Sequence, residues 1–111
     1  MKGSNIVIIG GNSGIGKKVE EILINEGAKV FSYSRSNSGS NHLDILEDFE
    51  EIPKLPDVVH GLVYCPGTIN LKPFKRIKIS EFRQDLEINY LGAIKTLQYL
   101  ESFLKKAKNA S

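Results

Sequence analysis

Two hydrophobic periodicities alternate along the first third of the chain. Ile6-Val7-Ile8-Ile9 is an unbroken apolar run, the pattern of a strand buried on both faces, and predicts a strand over 5–9. Small residues follow from Gly10 to Gly16. Apolar positions then recur at three- and four-residue spacing, at Ile15, Val19, Ile22 and Leu23. That spacing predicts a helix over about 14–26, with Lys17, Lys18, Glu20, Glu21 and Glu26 on its other side. Gly27 is placed to end it in a left-handed conformation. Val30-Phe31-Ser32-Tyr33 reads as a second strand, and the small polar run Ser36 to Asn41 as a loop.

The rest of the chain continues the alternation. A short third strand is expected near Leu43-Asp44-Ile45, then a short helix over 46–52 stopped by Pro53. Val58 to Cys65 reads as a fourth strand, broken by Pro66-Gly67. After a loop from Thr68 to about Ile79, Ser80 is a candidate N-cap for a long helix reaching about Lys106. On this helix Phe82, Leu86, Asn89, Tyr90, Ala93, Leu97 and Leu100 fall at helical spacing. Ile88, Leu91, Ile94, Tyr99, Phe103 and Leu104 widen the apolar surface. A surface this broad is wide enough to face a sheet and a second helix, either a partner subunit's in a homo-oligomer joined through 80–106 or one within a single fully packed subunit. Alternating strands and helices predict an α/β fold with a parallel sheet and right-handed crossovers.

Composition narrows the function classes. The 111 residues make one domain at most, and 41% hydrophobic with 25% charged residues describes a globular chain. No apolar stretch is long enough to span a bilayer, so no membrane partner is expected. The chain runs almost directly into a strand with no charged-then-apolar leader, and its single cysteine, Cys65, has no internal disulfide partner. Both point to the cytoplasm. The net charge is only +2. The basic cluster Lys72, Lys75, Arg76 and Lys78 reads as a solvated loop, so no nucleic-acid partner is expected. His42 and His60 have no Cys or His neighbour at ligand spacing, so no metal site is expected.

The candidate chemistry lies in Gly10-Gly11-Asn12-Ser13-Gly14-Ile15-Gly16. A glycine-rich turn between strand and helix exposes free backbone N–H groups at the positive end of the helix dipole, which is a seat for phosphate. Gly10 suits the tight turn, Gly14 the close approach of a diphosphate to the backbone, and Gly16 the packing of the helix on the sheet. Ile9 to Gly16 resembles the Thr-Gly-x-x-x-Gly-Ile-Gly fingerprint of the short-chain dehydrogenase/reductase family, with Ile9 in place of the Thr. The resemblance runs from Asn5 to about Lys106. It implies a Rossmann-type, doubly wound parallel sheet in three α/β/α layers, with residues 1–111 supplying four strands of an incomplete NAD(P)-binding domain.

The same resemblance assigns roles. Asn12, Ser13 and Ile15 join the three glycines around the cofactor. Ser34-Arg35-Ser36 ends strand two without a nearby carboxylate, and Arg35 suits a 2′-phosphate, so NADP(H) is expected over NAD(H). Leu43-Asp44-Ile45 resembles the acidic motif that contacts adenine, with Asp44 also a candidate N-cap. Tyr64-Cys65-Pro66-Gly67 stands where the family has Asn-Asn-Ala-Gly. Only the glycine is kept, and the backbone of Cys65, Pro66 and Gly67 remains a candidate lining. Cys65 itself reads as a small apolar filler. Glu87 to Ala93 resembles the helix with an Asn-x-x-Gly core, in which Asn89 would hold the water that relays protons to a catalytic lysine.

The family's chemistry also needs an upstream Ser and a Tyr-x-x-x-Lys pair. Here Tyr33, Tyr64, Tyr90 and Tyr99 are followed at the fourth place by Asn37, Thr68, Ile94 and Phe103. The chain therefore reads as the cofactor-binding half of an oxidoreductase that moves hydride between nicotinamide and a small-molecule carbonyl or alcohol. A dinucleotide-binding module without catalysis, or a half-domain completed by another polypeptide, are the alternatives. Without the second half of the sheet, the fourth strand has an unpaired edge.

Overall fold

The computed structural model describes residues 2–10, 14–34, 43, 52, 54–66 and 73–111. Its centre is a parallel sheet of β1 (Asn5–Ile9), β2 (Lys29–Tyr33) and β3 (Gly61–Tyr64), in the order β2-β1-β3. β1 is central because it is the most apolar strand: Val7, Ile8 and Ile9 are essentially inaccessible to solvent. Val7 pairs with Phe31 on one side and Leu62 on the other.

Strand alternation sorts the β1 side chains into two cores. Ile6 and Ile8 pack with Ala28, Val19 and Leu23 beneath helix α1 (Gly14–Asn25). Val7 and Ile9 face the opposite side, where Tyr33, Leu43, Ile52, Val59, Ile88 and Leu100 complete the larger cluster. Leu100 belongs to helix α3 (Gly92–Lys105), so helices cover both faces of the sheet. This is the α/β parallel arrangement that the sequence pattern predicts, in the layers that the family resemblance implies.

The differences from expectation have local causes. The apolar stripe of α1 is Gly16, Val19 and Leu23. Ile15 and Ile22 lie outside it and are exposed. All four apolar positions fit helical spacing, but a narrow helix–sheet contact accepts only the central ones. The sheet strand expected over 58–65 is paired only from Gly61 to Tyr64. Its approach is held by backbone and side chains together: the His60 N–H donates to the Asn5 carbonyl at 2.8 Å, the Asn5 N–H donates to His60 Nδ1 at 3.0 Å, and Asn5 Nδ2 donates to the Val58 carbonyl at 2.9 Å. His60 is thus a structural residue. The third strand expected near Leu43-Asp44-Ile45 and the helix over 46–52 lie mostly outside the described residues. Leu43 itself is buried, and its N–H donates to the Ser34 carbonyl.

The long C-terminal helix departs twice from its reading. It starts at Ile79, with Lys78 in an extended conformation as the flanking residue, and no side chain caps it. Ser80 therefore sits inside the first turn, while the Lys78 carbonyl accepts from Glu81 and Phe82. The helix is also not uniform. Helix α2 (Ile79–Leu86) passes through a wider π-turn at Glu87–Leu91 before α3 begins. Residues 74–76 add a short 3-10 turn within the expected loop.

Candidate functional site

A strand order that reverses direction across β1 creates a crevice at the carboxyl ends of β1 and β3, the place where ligands bind in open α/β sheets. The residues at these two ends meet. Gly10 follows β1 with φ +82°, and Cys65 and Pro66 follow β3. A Cβ on Gly10 would stand 3.1 Å from Pro66 N and Cδ, and 3.3 Å from the Cys65 carbonyl carbon. Only a glycine both adopts this φ and lets the two backbones approach so closely. The Gly10 N–H donates to the Tyr33 carbonyl at 2.7 Å, and the Cys65 N–H to the Ile9 carbonyl at 2.9 Å. The ends of all three strands are therefore tied to one another around Gly10. Ser34, the next residue after β2, is buried there too.

Helix α1 begins at Gly14, four residues along the chain from Gly10. Gly14 opens the helix with φ +59°, and a Cβ placed on it would meet nothing within 4 Å. The backbone at this terminus is thus both left-handed and uncovered. No acidic side chain occupies the first turn. An anion at this end would meet the positive end of the dipole without carboxylate repulsion. Ile15 projects into solvent at 80% exposure, while Gly16 is buried and lets the helix sit on the sheet. Asn12, Ser13, Arg35, Asp44, Ile45 and Gly67 lie outside the described residues.

Cys65 is half-buried, and burial pushes its thiol above the ordinary range. A thiol held protonated is a poor nucleophile. Tyr64, which the sequence reading passed over as a site residue, has a defined role: its hydroxyl donates to the Ile88 carbonyl at 2.6 Å. Burial pushes its pKa up to about 12. A phenol at the end of a buried strand needs a hydrogen-bond partner, and that much is readable from sequence. The partner, 24 residues away, is not. Asn89 is the next residue after Ile88 and is exposed within the π-turn. Among the described residues, no group of three or more His, Cys, Asp and Glu side chains is placed to hold a metal, and no helix is long and apolar enough to cross a membrane.

The parallel order β2-β1-β3, the helices on both faces and the Gly10 junction at the strand reversal define a Rossmann-type fold. Within that class, the chain resembles the N-terminal part of the short-chain dehydrogenases/reductases over nearly its whole length. It is 29% identical over 108 residues to the bifunctional ribulose 5-phosphate reductase/CDP-ribitol pyrophosphorylase of Haemophilus influenzae, covering 96% of this chain and 23% of that protein. The short-chain dehydrogenase of Shigella flexneri matches 97% of the chain and 52% of its own, with a TM-score of 0.82 at 16% identity. The 3-alpha-hydroxysteroid dehydrogenase of a Pseudomonas species, solved with NADH, matches 95% of the chain and 44% of its own, with a TM-score of 0.69 at 22% identity. The chain thus spans about half the length of these solved structures and a smaller share of the reductase. No protein-family model matches it.

Proposed function

We propose that this chain is the cofactor-binding half of an NADP(H)-dependent short-chain oxidoreductase. The observation that carries the reading is the uncovered N-terminus of α1 following, four residues on, the close junction of β1 and β3 at Gly10. Backbone groups from Gly10 to Gly16, with the side chains of Asn12 and Ser13, hold the diphosphate. Ile15 contributes its backbone N–H at the same place. Ser34 and Arg35 select the adenosine ribose, and Arg35 makes a charge-assisted pair with a 2′-phosphate. Asp44 and Ile45 border the adenine, and the backbone of Cys65, Pro66 and Gly67 borders the nicotinamide side.

When bound, the coenzyme supplies the hydride that passes to or from the carbon of a carbonyl or alcohol substrate. This chain's own part is to bind and orient it. Asn89 holds a water in the proton relay. The Ser and the Tyr-x-x-x-Lys pair that the family's chemistry also needs are outside this chain's part in the proposal. A homo-oligomer joined through residues 80–106 is part of the same proposal, supported by the apolar stripe that α2 and α3 leave exposed.

Calorimetric titration of the 111-residue chain with NADPH and with NADH tests the reading. NADPH is expected to bind at least about tenfold more tightly, roughly 1.4 kcal/mol. Arg35→Ala is expected to bring the two affinities together. Tighter NADH binding refutes the preference, and binding of neither by a folded chain refutes the cofactor site.

A further inference from the structure

The π-turn interrupts a helix that has no proline or glycine between Ile79 and Leu91 to cause it. Its hydrogen bonding is explicit. The Gly92 N–H donates to the Glu87 carbonyl, five residues back, where an α-helix would use the Ile88 carbonyl. The Ile88 carbonyl thereby loses its α-helical partner. The Tyr64 hydroxyl donates to that same carbonyl at 2.6 Å. Two independent contacts therefore meet on one atom group: a helix register that releases Ile88 O, and a strand-end phenol that takes it.

We propose that Tyr64 is a positioning residue for Asn89, holding the Glu87–Leu91 turn in its wide register from the end of β3. The consequence is geometric. One extra residue in the turn offsets the preceding helix by about 100° relative to the following one. Ile88 is buried in the larger core, and Leu100 below it fixes the phase of α3. The register of the turn then decides where Asn89 stands and which face of α2 points outward. If the turn relaxed to α-helical bonding, either Asn89 or the Ile88 anchor would leave its place. Tyr64 stands where the resembled family has an asparagine, so this latch belongs to the chain's own sequence. Its functional meaning rests on the proposed role of Asn89; the latch itself does not.

The test is read without coenzyme, so its outcome is separable from the cofactor-binding reading. Nuclear magnetic resonance of the isotopically labelled 111-residue chain detects, through the coupling across a hydrogen bond, which carbonyl accepts from the Gly92 N–H. The unmutated chain is expected to show Glu87 as acceptor. It is also expected to show a slowly exchanging Tyr64 hydroxyl proton with a nuclear Overhauser contact to Ile88. Tyr64→Phe keeps the ring and removes the donor. It is expected to move the Gly92 coupling to Ile88, a change that mere loss of stability would not produce. Retention of the Glu87 coupling in Tyr64→Phe overturns the proposal. So does Ile88 as acceptor in the unmutated chain, or a Tyr64 hydroxyl that exchanges freely and shows no contact to Ile88; these two readings stand even where the variant does not fold.

Discussion

Gly10 and Gly27 carry nearly the same left-handed backbone, with φ of +82° and +87°. Their surroundings differ. At Gly27 the Ala28 N–H donates to the Leu23 carbonyl and the Gly27 N–H to the Ile24 carbonyl, the paired bonds that close a helix in a Schellman turn. A Cβ there would meet Lys2 Cα at 3.3 Å, beside the flexible part of the Lys2 side chain. At Gly10 the same atom would press at 3.1 Å on the ring and backbone nitrogen of Pro66, which the strand ends hold in place. Gly27→Ala is therefore expected to cost about 1–2 kcal/mol, the conformational penalty alone. Gly10→Ala is expected to cost more, and to weaken NADPH binding as the crevice between β1 and β3 opens. Urea unfolding of the two variants checks the order; equal losses would show that the Pro66 contact yields freely. Both positions were legible in the sequence because a positive φ leaves a compositional trace. Tyr64 was not, because its partner is set by the tertiary fold.

At the scale of elements, the strands and the first helix follow closely from hydrophobic periodicity, and the long helix shows where periodicity stops. Apolar residues at Ile79, Phe82, Leu86, Tyr90, Ile94 and Leu97 keep three- and four-residue spacing straight through the π-turn, so the sequence gives no sign of the register change. The start was misplaced for a similar reason. Ser80 has the right chemistry for a cap, but Lys78 takes the extended conformation, and backbone groups alone begin the helix. All six are exposed, as is Leu91 beside them. Scattered exposed apolar side chains are ordinary, but a continuous stripe along two successive helices marks a surface that meets another. If that surface joins copies of the chain, a charge on it separates them. Leu86→Glu with Leu97→Glu is expected to sediment as a monomer while the unmutated chain sediments as a dimer or larger. Because both side chains are more than half exposed, folding stability is expected to change by no more than about 0.5 kcal/mol per site. A monomeric unmutated chain would remove the homo-oligomer from the proposal.

The whole molecule is more extended than its length requires. Its radius of gyration is 15.1 Å, against about 13 Å for a compact chain of this size. Among the described residues, β3 has β1 on one side and Ser111 on the other. The Leu62 N–H donates to the Ser111 carbonyl at 2.9 Å, and the Ser111 N–H donates to the His60 carbonyl at 2.9 Å. Ser111 thus bonds to the residues on either side of Gly61, the pattern by which a parallel strand adds to an edge. Beside it, on the α1 side of the sheet, a groove of about 360 Å³ is bordered by Ile6, Leu23, Val63 and Lys108. The edge of β3 that the sequence leaves without a partner strand is met here by the backbone of a single residue, Ser111. Removal of residues 109–111 is expected to leave the β1–β3 bonds intact while the Leu62 amide loses its acceptor. Amide hydrogen exchange at Leu62 should then accelerate at least about tenfold, with the Cys65 amide, bonded to Ile9, unchanged. Equal acceleration at both amides would mean that the three residues support the sheet as a whole. No change at Leu62 would mean that Ser111 does not bond to the edge in solution.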